Sequence, residues 1–141
     1  MGVHYGPTAE TREQNNVNVE VTPFADQQSF MEACDQTTKQ YNSDQYDLYL
    51  NLIDEEVEEL KEALEAHDRV EQLDALIDIL VVTIGAIHSG GFDGEGAWKE
   101  VMGTNFAKVD SFTGKVTKRE DGKVLKPAGW QAPKLRPHVK A

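Results

Sequence analysis

Five carboxylates at helical spacing carry the clearest chemistry in this sequence. Glu55, Glu56 and Glu59 stand at i, i+1 and i+4, and Asp74 and Asp78 stand at i and i+4. Residues three or four apart on a helix share a face. The two aspartates lie within an apolar run from Leu73 to Ile87. A buried carboxylate without a partner is costly, and two on one face also repel each other. A cation must therefore face them, and a divalent metal ion does so most economically. Mg²⁺ takes oxygen ligands, keeps several waters and binds substrate phosphates in the remaining positions, with Mn²⁺ as a substitute. Glutamates on one helix facing aspartates on the next can hold two or more such ions, which activate a water and neutralise phosphoryl charge.

Two helices must position these groups. The run Leu73–Ile87 is too long for one strand and has no breaker before Gly85, so it reads as a helix apolar nearly all round and hence buried. In the preceding helix, Leu48, Leu52, Leu60 and Ala63 form the apolar stripe. With Leu52 at zero, Glu55, Glu59 and Glu56 project at roughly −60°, −20° and +40°, inside that stripe. Asp54, Glu58, Lys61 and Glu65 project to the opposite side. A solvated face is the ordinary reading of a glutamate-rich run. It does not explain why the acids of two successive helices both fall on core-facing sectors. The few basic residues nearby, Lys61, His67 and Arg69, project outward or lie in the connection. One cysteine, Cys34, and four scattered histidines exclude a zinc ligand set, and no EF-hand spacing occurs.

The 141 residues suit one domain with a single core. With 14 basic against 25 acidic residues, the net charge of −11 argues against nonspecific binding to nucleic acid or an anionic membrane. A nucleotide remains compatible, because bound metal inverts the local sign. The lone cysteine suits a reducing cytosol, and neither a signal peptide nor an apolar run of about 18 residues is present. The expected location is cytoplasmic, in a host cytoplasm if the protein is viral.

Along the chain, residues 1–22 read as a flexible polar arm and 134–141 as a tail. Residues 23–133 form the domain. A first helix is expected from Pro23 or Phe24 to Gln40, with Phe30, Met31 and Cys34 as an apolar stripe. Ser43 or Asp44 caps the second helix, which runs to about Ala66. His67-Asp68 is so short a link that the two acidic helices must pack antiparallel. The third helix ends at Ser89-Gly90-Gly91. A fourth runs from Asp93 or Glu95 to Lys108. Gly114 and Asp121-Gly122 then mark an irregular β-hairpin, followed by an extended tail. The expected fold is all-α: four helices with a short C-terminal β-hairpin and tail. Basic residues concentrate after the helices, where a tail folding back would bring cations to phosphate oxygens. Four short helices cannot cover the third helix on every side, so a homodimer, or a dimer of dimers as a tetramer, is expected.

These residues resemble the all-α nucleoside triphosphate pyrophosphohydrolases, the MazG-like superfamily. Glu55-Glu56-Val57-Glu58-Glu59 fits its E-E-x-x-E motif. Glu71-Gln72-Leu73-Asp74 has the spacing of the second motif, and the context of Asp74 and Asp78 looks like its D-x-x-x-D-L-L-x-V-T-x-G variant. Thr104-Asn105-Phe106-Ala107-Lys108 is similar to the S-N-M-x-K segment of bacteriophage-type members. Asp121–Trp130 resembles their D-G-K-V-L-K-P-x-G-W tail, whereas Gly103 replaces a residue that is often basic. The resemblance spans about residues 24–133.

It implies metal-dependent hydrolysis of a (deoxy)nucleoside triphosphate between the α and β phosphates, releasing pyrophosphate. Glu55, Glu56, Glu59, Asp74, Asp78 and Glu71 would be the metal ligands, with Glu55 or Glu56 orienting the attacking water. Asn105, Lys108, Lys126 and Trp130 would bind substrate, and the base wall would come from the first helix around Phe30 and Cys34 and from a neighbouring subunit. Likeness alone favours dGTP or GTP in a bacteriophage nucleotide pathway. The rival readings are a phosphoribosyl-ATP pyrophosphohydrolase, which shares fold and metal motif, and a non-catalytic acidic helical adaptor.

Overall fold

The computed structural model describes residues 21–140, so the expected N-terminal arm lies almost wholly outside the described residues. Four α-helices are present: α1 (Pro23–Ala33), α2 (Ser43–Glu65), α3 (Arg69–Ser89) and α4 (Gly94–Phe106). A single 3-10 turn, Arg136–His138, follows. The all-α expectation holds, with no sheet among the described residues. The chain divides into two compact units, one ending at Phe92 and one spanning Asp93–Lys140.

In the first unit α1 starts on a Thr22 cap that accepts from the Ala25 amide, with Pro23 in the first turn. It stops at Ala33, well short of Gln40. Asp35 adopts the left-handed conformation, at φ 58°, and the chain turns away. The following segment ties itself to α2 and α3 through side chains. Gln45 Nε2 donates to the Thr37 carbonyl and to Ser89 Oγ, both at 2.7 Å, and Tyr49 Oη donates to Gln36 Oε1 at 2.6 Å. These tertiary bonds hold the segment after α1 in a non-helical path. The cap of α2 is Asn42, one residue before the expected position.

α2 and α3 pack as an antiparallel hairpin joined by Ala66–Asp68. The Asp68 amide donates to the Ala63 carbonyl at 3.0 Å, and His67 takes the left-handed conformation at φ 53°. The Asp68 carboxylate then caps α3 by accepting from the Val70 and Glu71 amides. Met31, Tyr49, Val82 and Ala86 form the core, with Tyr46, Leu52 and Ile53 packed against it. A Cβ at Gly85 would overlap the Tyr49 ring, so glycine permits this close approach of α2 and α3. α1 joins through His88, whose Nε2 lies 2.8 Å from the Phe24 carbonyl oxygen.

α3 is not buried along its whole length. Its C-terminal half is, from Val82 onward, but Val70, Leu73, Leu76, Ile77 and Leu80 are exposed. Among the described helices of this unit, α1 and α2 pack on it, and neither covers that face.

In the second unit Asp93 caps α4 by accepting from the Gly96 amide at 3.0 Å. The expected β-hairpin reduces to two isolated antiparallel bridges, Val109–Val116 and Lys118–Val124. The stretches between the turns at Gly114 and Gly122, at φ 68° and 89°, are too short to extend a ladder. The expected tail is partly ordered, for His138 Nδ1 lies 2.9 Å from Asp93 Oδ2 and the Asp93 amide donates to the His138 carbonyl at 2.8 Å.

Candidate functional site

Residues one helical turn apart on α2 and the facing turn of α3 converge. Glu56, Glu59 and Asp78 each offer a carboxylate oxygen, and these oxygens lie within 4.8 Å of one another. Asp74 is close enough to raise the pKa of both Glu56 and Asp78. Burial, then the Glu59 carboxyl, and then Asp78 and Asp74 push Glu56 up to about 7. Asp78 is raised by burial, followed by Asp74 and Glu59. Glu56 Oε2 is a buried oxygen without a hydrogen-bond partner.

None of these acids is paired with a lysine, arginine or histidine among the described residues. The ion pairs lie elsewhere, at Lys61–Glu58, Arg119–Asp121 and His138–Asp93. The cluster is therefore a concentration of negative charge held in place by two packed helices, with no basic side chain among the described residues paired to it. Its donors are all carboxylate oxygens, the set that hard divalent cations prefer. The orphaned buried oxygen of Glu56 fits that ligand as well.

Three of the expected ligands lie outside the trio: Glu55, Glu71 and Asp74, all exposed, as Glu59 within the trio is too. Glu55 projects to the same flank of α2 as Leu48, which is also exposed, so this edge of the apolar stripe is uncovered in the single chain. The expected base wall lies on α1, with Phe30 partly exposed and Cys34 exposed at its end.

The remaining candidates gather within the second unit. Lys108 Nζ donates to Asn105 Oδ1 at 3.2 Å, although α4 ends at Phe106 and leaves Lys108 beyond the helix it was expected to close. The Trp130 indole N–H donates to the Thr104 carbonyl at 2.7 Å. The ammonium groups of Lys108 and Lys126 both lie over the Trp130 ring, each 5.0 Å from its centroid. Beside the ring is an open concavity of about 370 Å³ lined by Gly103, Thr104, Ala107, Pro127 and Gly129 among others. Glu100, which sequence reasoning passed over, accepts from the Lys134 amide at 2.9 Å and anchors the tail. Nothing in its spacing marked it, because its partner is a backbone group 34 residues away.

No helix among the described residues is long and apolar enough to cross a membrane. No curated protein matches the chain. The family model for phosphoribosyl-ATP pyrophosphohydrolase, PRA-PH, matches residues 27–105, more than half of the sequence. The match takes in the acidic hairpin and α4 as far as Asn105, and stops before Lys108, Lys126 and Trp130. This family lies within the MazG-like all-α NTP pyrophosphohydrolase superfamily. Its members are pyrophosphohydrolases of nucleotide-like substrates and are typically metal-dependent. By the extent of this match, the chain belongs to the PRA-PH family.

Proposed function

We propose that this protein hydrolyses a (deoxy)nucleoside triphosphate to the monophosphate and pyrophosphate in the cytoplasm. The observation that carries this reading is the convergence of Glu56, Glu59 and Asp78 oxygens within 4.8 Å, with no ion pair to a basic side chain among the described residues. Glu56, Glu59, Asp78 and Asp74 would hold Mg²⁺ or Mn²⁺, two or more ions in all, with Glu55 and Glu71 as outer contributors. Bound Mg²⁺ would neutralise the triphosphate and lower the pKa of the attacking water. Glu55 or Glu56 orients that water, and its carboxylate oxygen receives the proton. Asn105, Lys108 and Lys126 hold phosphate or sugar oxygens, as charge-assisted donors do.

The active species in this reading is a homodimer or a dimer of dimers. Val70, Leu73, Ile77 and Leu80 recur at spacings of three and four along α3 and are 76%, 62%, 50% and 57% exposed. Such a stripe is the surface a second copy would cover. Sedimentation of the wild type against an Ile77→Glu, Leu80→Glu variant tests it, with a shift to monomer expected.

The decisive experiment measures pyrophosphate release with Mg²⁺ or Mn²⁺ across the eight common ribo- and deoxyribonucleoside triphosphates. A preference for dGTP or GTP, and a role in a bacteriophage nucleotide pool, rest on the similarity of residues 104–108 and 121–130 to bacteriophage-type members. A second reading, phosphoribosyl-ATP as substrate, draws on the description of the matched family. Adding that compound to the panel separates the two. No metal-dependent pyrophosphate release from any of them would leave the adaptor reading in place.

A further inference from the structure

We propose that Trp130 is a positioning residue that gathers Lys108 and Lys126 into one paired cation site for a polyphosphate chain. The proposal rests on the reading of these two lysines as phosphate contacts. The indole is already committed on two sides. Its N–H is held by the Thr104 carbonyl at 2.7 Å, which fixes the plane of the ring against α4. Both ammonium groups lie over the ring, each 5.0 Å from its centroid, so one aromatic group supports the two cations.

The backbone is arranged to bring the three side chains together. Trp130 N–H donates to the Pro127 carbonyl at 3.1 Å, and Gly129 between them has φ 79°. A tight turn with positive φ at its third position favours glycine there. The turn folds Lys126, which immediately precedes it, back over the ring that follows it. Lys108 reaches the same ring from the end of α4, and its ammonium also donates to Asn105 Oδ1 at 3.2 Å. Two lysines 18 positions apart in sequence thus share one aromatic support.

Like-charged ammoniums repel, and long lysine side chains lose entropy when fixed. The face of an indole offsets both effects by its attraction for cations. The result is a preformed pair of donors, no further apart than the span of the ring contacts allows, suited to adjacent phosphate groups. A single carboxylate carries one negative charge, whereas a di- or triphosphate carries several along a chain, so the ligand class that matches two cations is a di- or triphosphate.

Calorimetric titration of the full chain with inorganic tripolyphosphate, without metal and at low salt, tests this. Trp130→Leu is expected to weaken binding about tenfold, the loss of two cation–π contacts. Trp130→Phe keeps the aromatic face but lacks the indole N–H, and should bind within about threefold of wild type. In a Lys108→Met, Lys126→Met background, Trp130→Leu should have no further effect, since the ring acts through the ammoniums. The proposal is overturned if Phe is as weak as Leu, if Leu binds like wild type, or if its effect persists without the lysines. Absence of tripolyphosphate binding by the wild type overturns it as well. Pyrophosphate release from nucleoside triphosphates, measured alongside, speaks to the hydrolase reading separately. Loss of turnover with this binding pattern intact would sink that reading and leave the paired cation site standing.

Discussion

The two compact units are built on opposite electrostatic plans. Residues 21–92 carry sixteen carboxylates and three lysines or arginines, whereas residues 93–140 carry six and ten. In the first unit the charges that matter are held by regular helix, one turn apart on α2 and facing α3. In the second, they are held by a glycine turn, a helix end and an indole ring. The contrast shows two ways of preorganising like charges. Rigid helix packing forces carboxylates together at a cost that a bound cation removes, while an aromatic face lets ammoniums gather without a counterion. Each unit thus concentrates one sign of charge within itself.

The sharpest way to break the first plan is Glu59→Gln. Altering a group that merely supports a metal ligand costs about 10–100-fold, so loss of a ligand itself should cost about 100-fold or more in Mg²⁺-dependent turnover. Helical content by circular dichroism should stay unchanged, because Glu59 is exposed and caps nothing. Wild-type rates in this variant would remove the acid trio from the reaction.

Gly85→Val attacks the packing that brings the two acid-bearing helices together. Its Cβ would overlap the Tyr49 ring, and overpacking of this kind costs about 1–3 kcal/mol. Urea unfolding should reveal that loss, whereas the same substitution at Gly103, where no atom lies within 4 Å of the added Cβ, meets no such obstacle.

The two units should also respond to pH with opposite sign. Glu56 is raised to about 7 and Asp78 is raised too, so the folded chain retains protons that the unfolded chain releases above the ordinary carboxylate range. The metal-free protein should therefore lose stability as pH rises through about 4.5 to 7. Urea midpoints at pH 5 and pH 8 would show it, and Mg²⁺ should restore the higher-pH value. Asp93 behaves conversely. His138 first, then the Gly96 amide, lower its pKa, so its contribution is present above the ordinary aspartate range and disappears as pH falls through the lowered value.

The smallest effect belongs to His138→Ala. It removes the side-chain contact with Asp93 while sparing the backbone bond between the same residues. A partly exposed pair of this type contributes up to about 1 kcal/mol. Amide exchange in α4 and residues 136–139 should quicken, with exchange in α2 and α3 unaffected.

Where a property depended on period, the sequence displayed it. The 3.6-residue repeat put Glu56 and Glu59 on one sector and Asp78 opposite, and the short link made the hairpin antiparallel. Where it depended on partners far along the chain, the sequence was silent. α1 stops at Ala33 because Gln36 and Thr37 find partners in Tyr49 and Gln45, which no local pattern reveals. The exposed position of Glu55 follows from what fails to cover one flank of α2. Two lysines meeting on Trp130 needed a turn whose glycine was visible but whose target was not. The weak alternation after Asp110 was real, yet it produced bridges without a ladder.

The three residues Ala66–Asp68 act as a phase lock for the whole acid cluster. Asp68 closes α2 with its amide and opens α3 with its carboxylate, leaving no slack between one helix and the next. Adding a single residue there would break this paired capping, and any of it not absorbed in the turn would shift α3 along α2 and draw Asp78 away from Glu56 and Glu59. Length in this linker is thus as much a determinant of the chemistry as the identity of any glutamate.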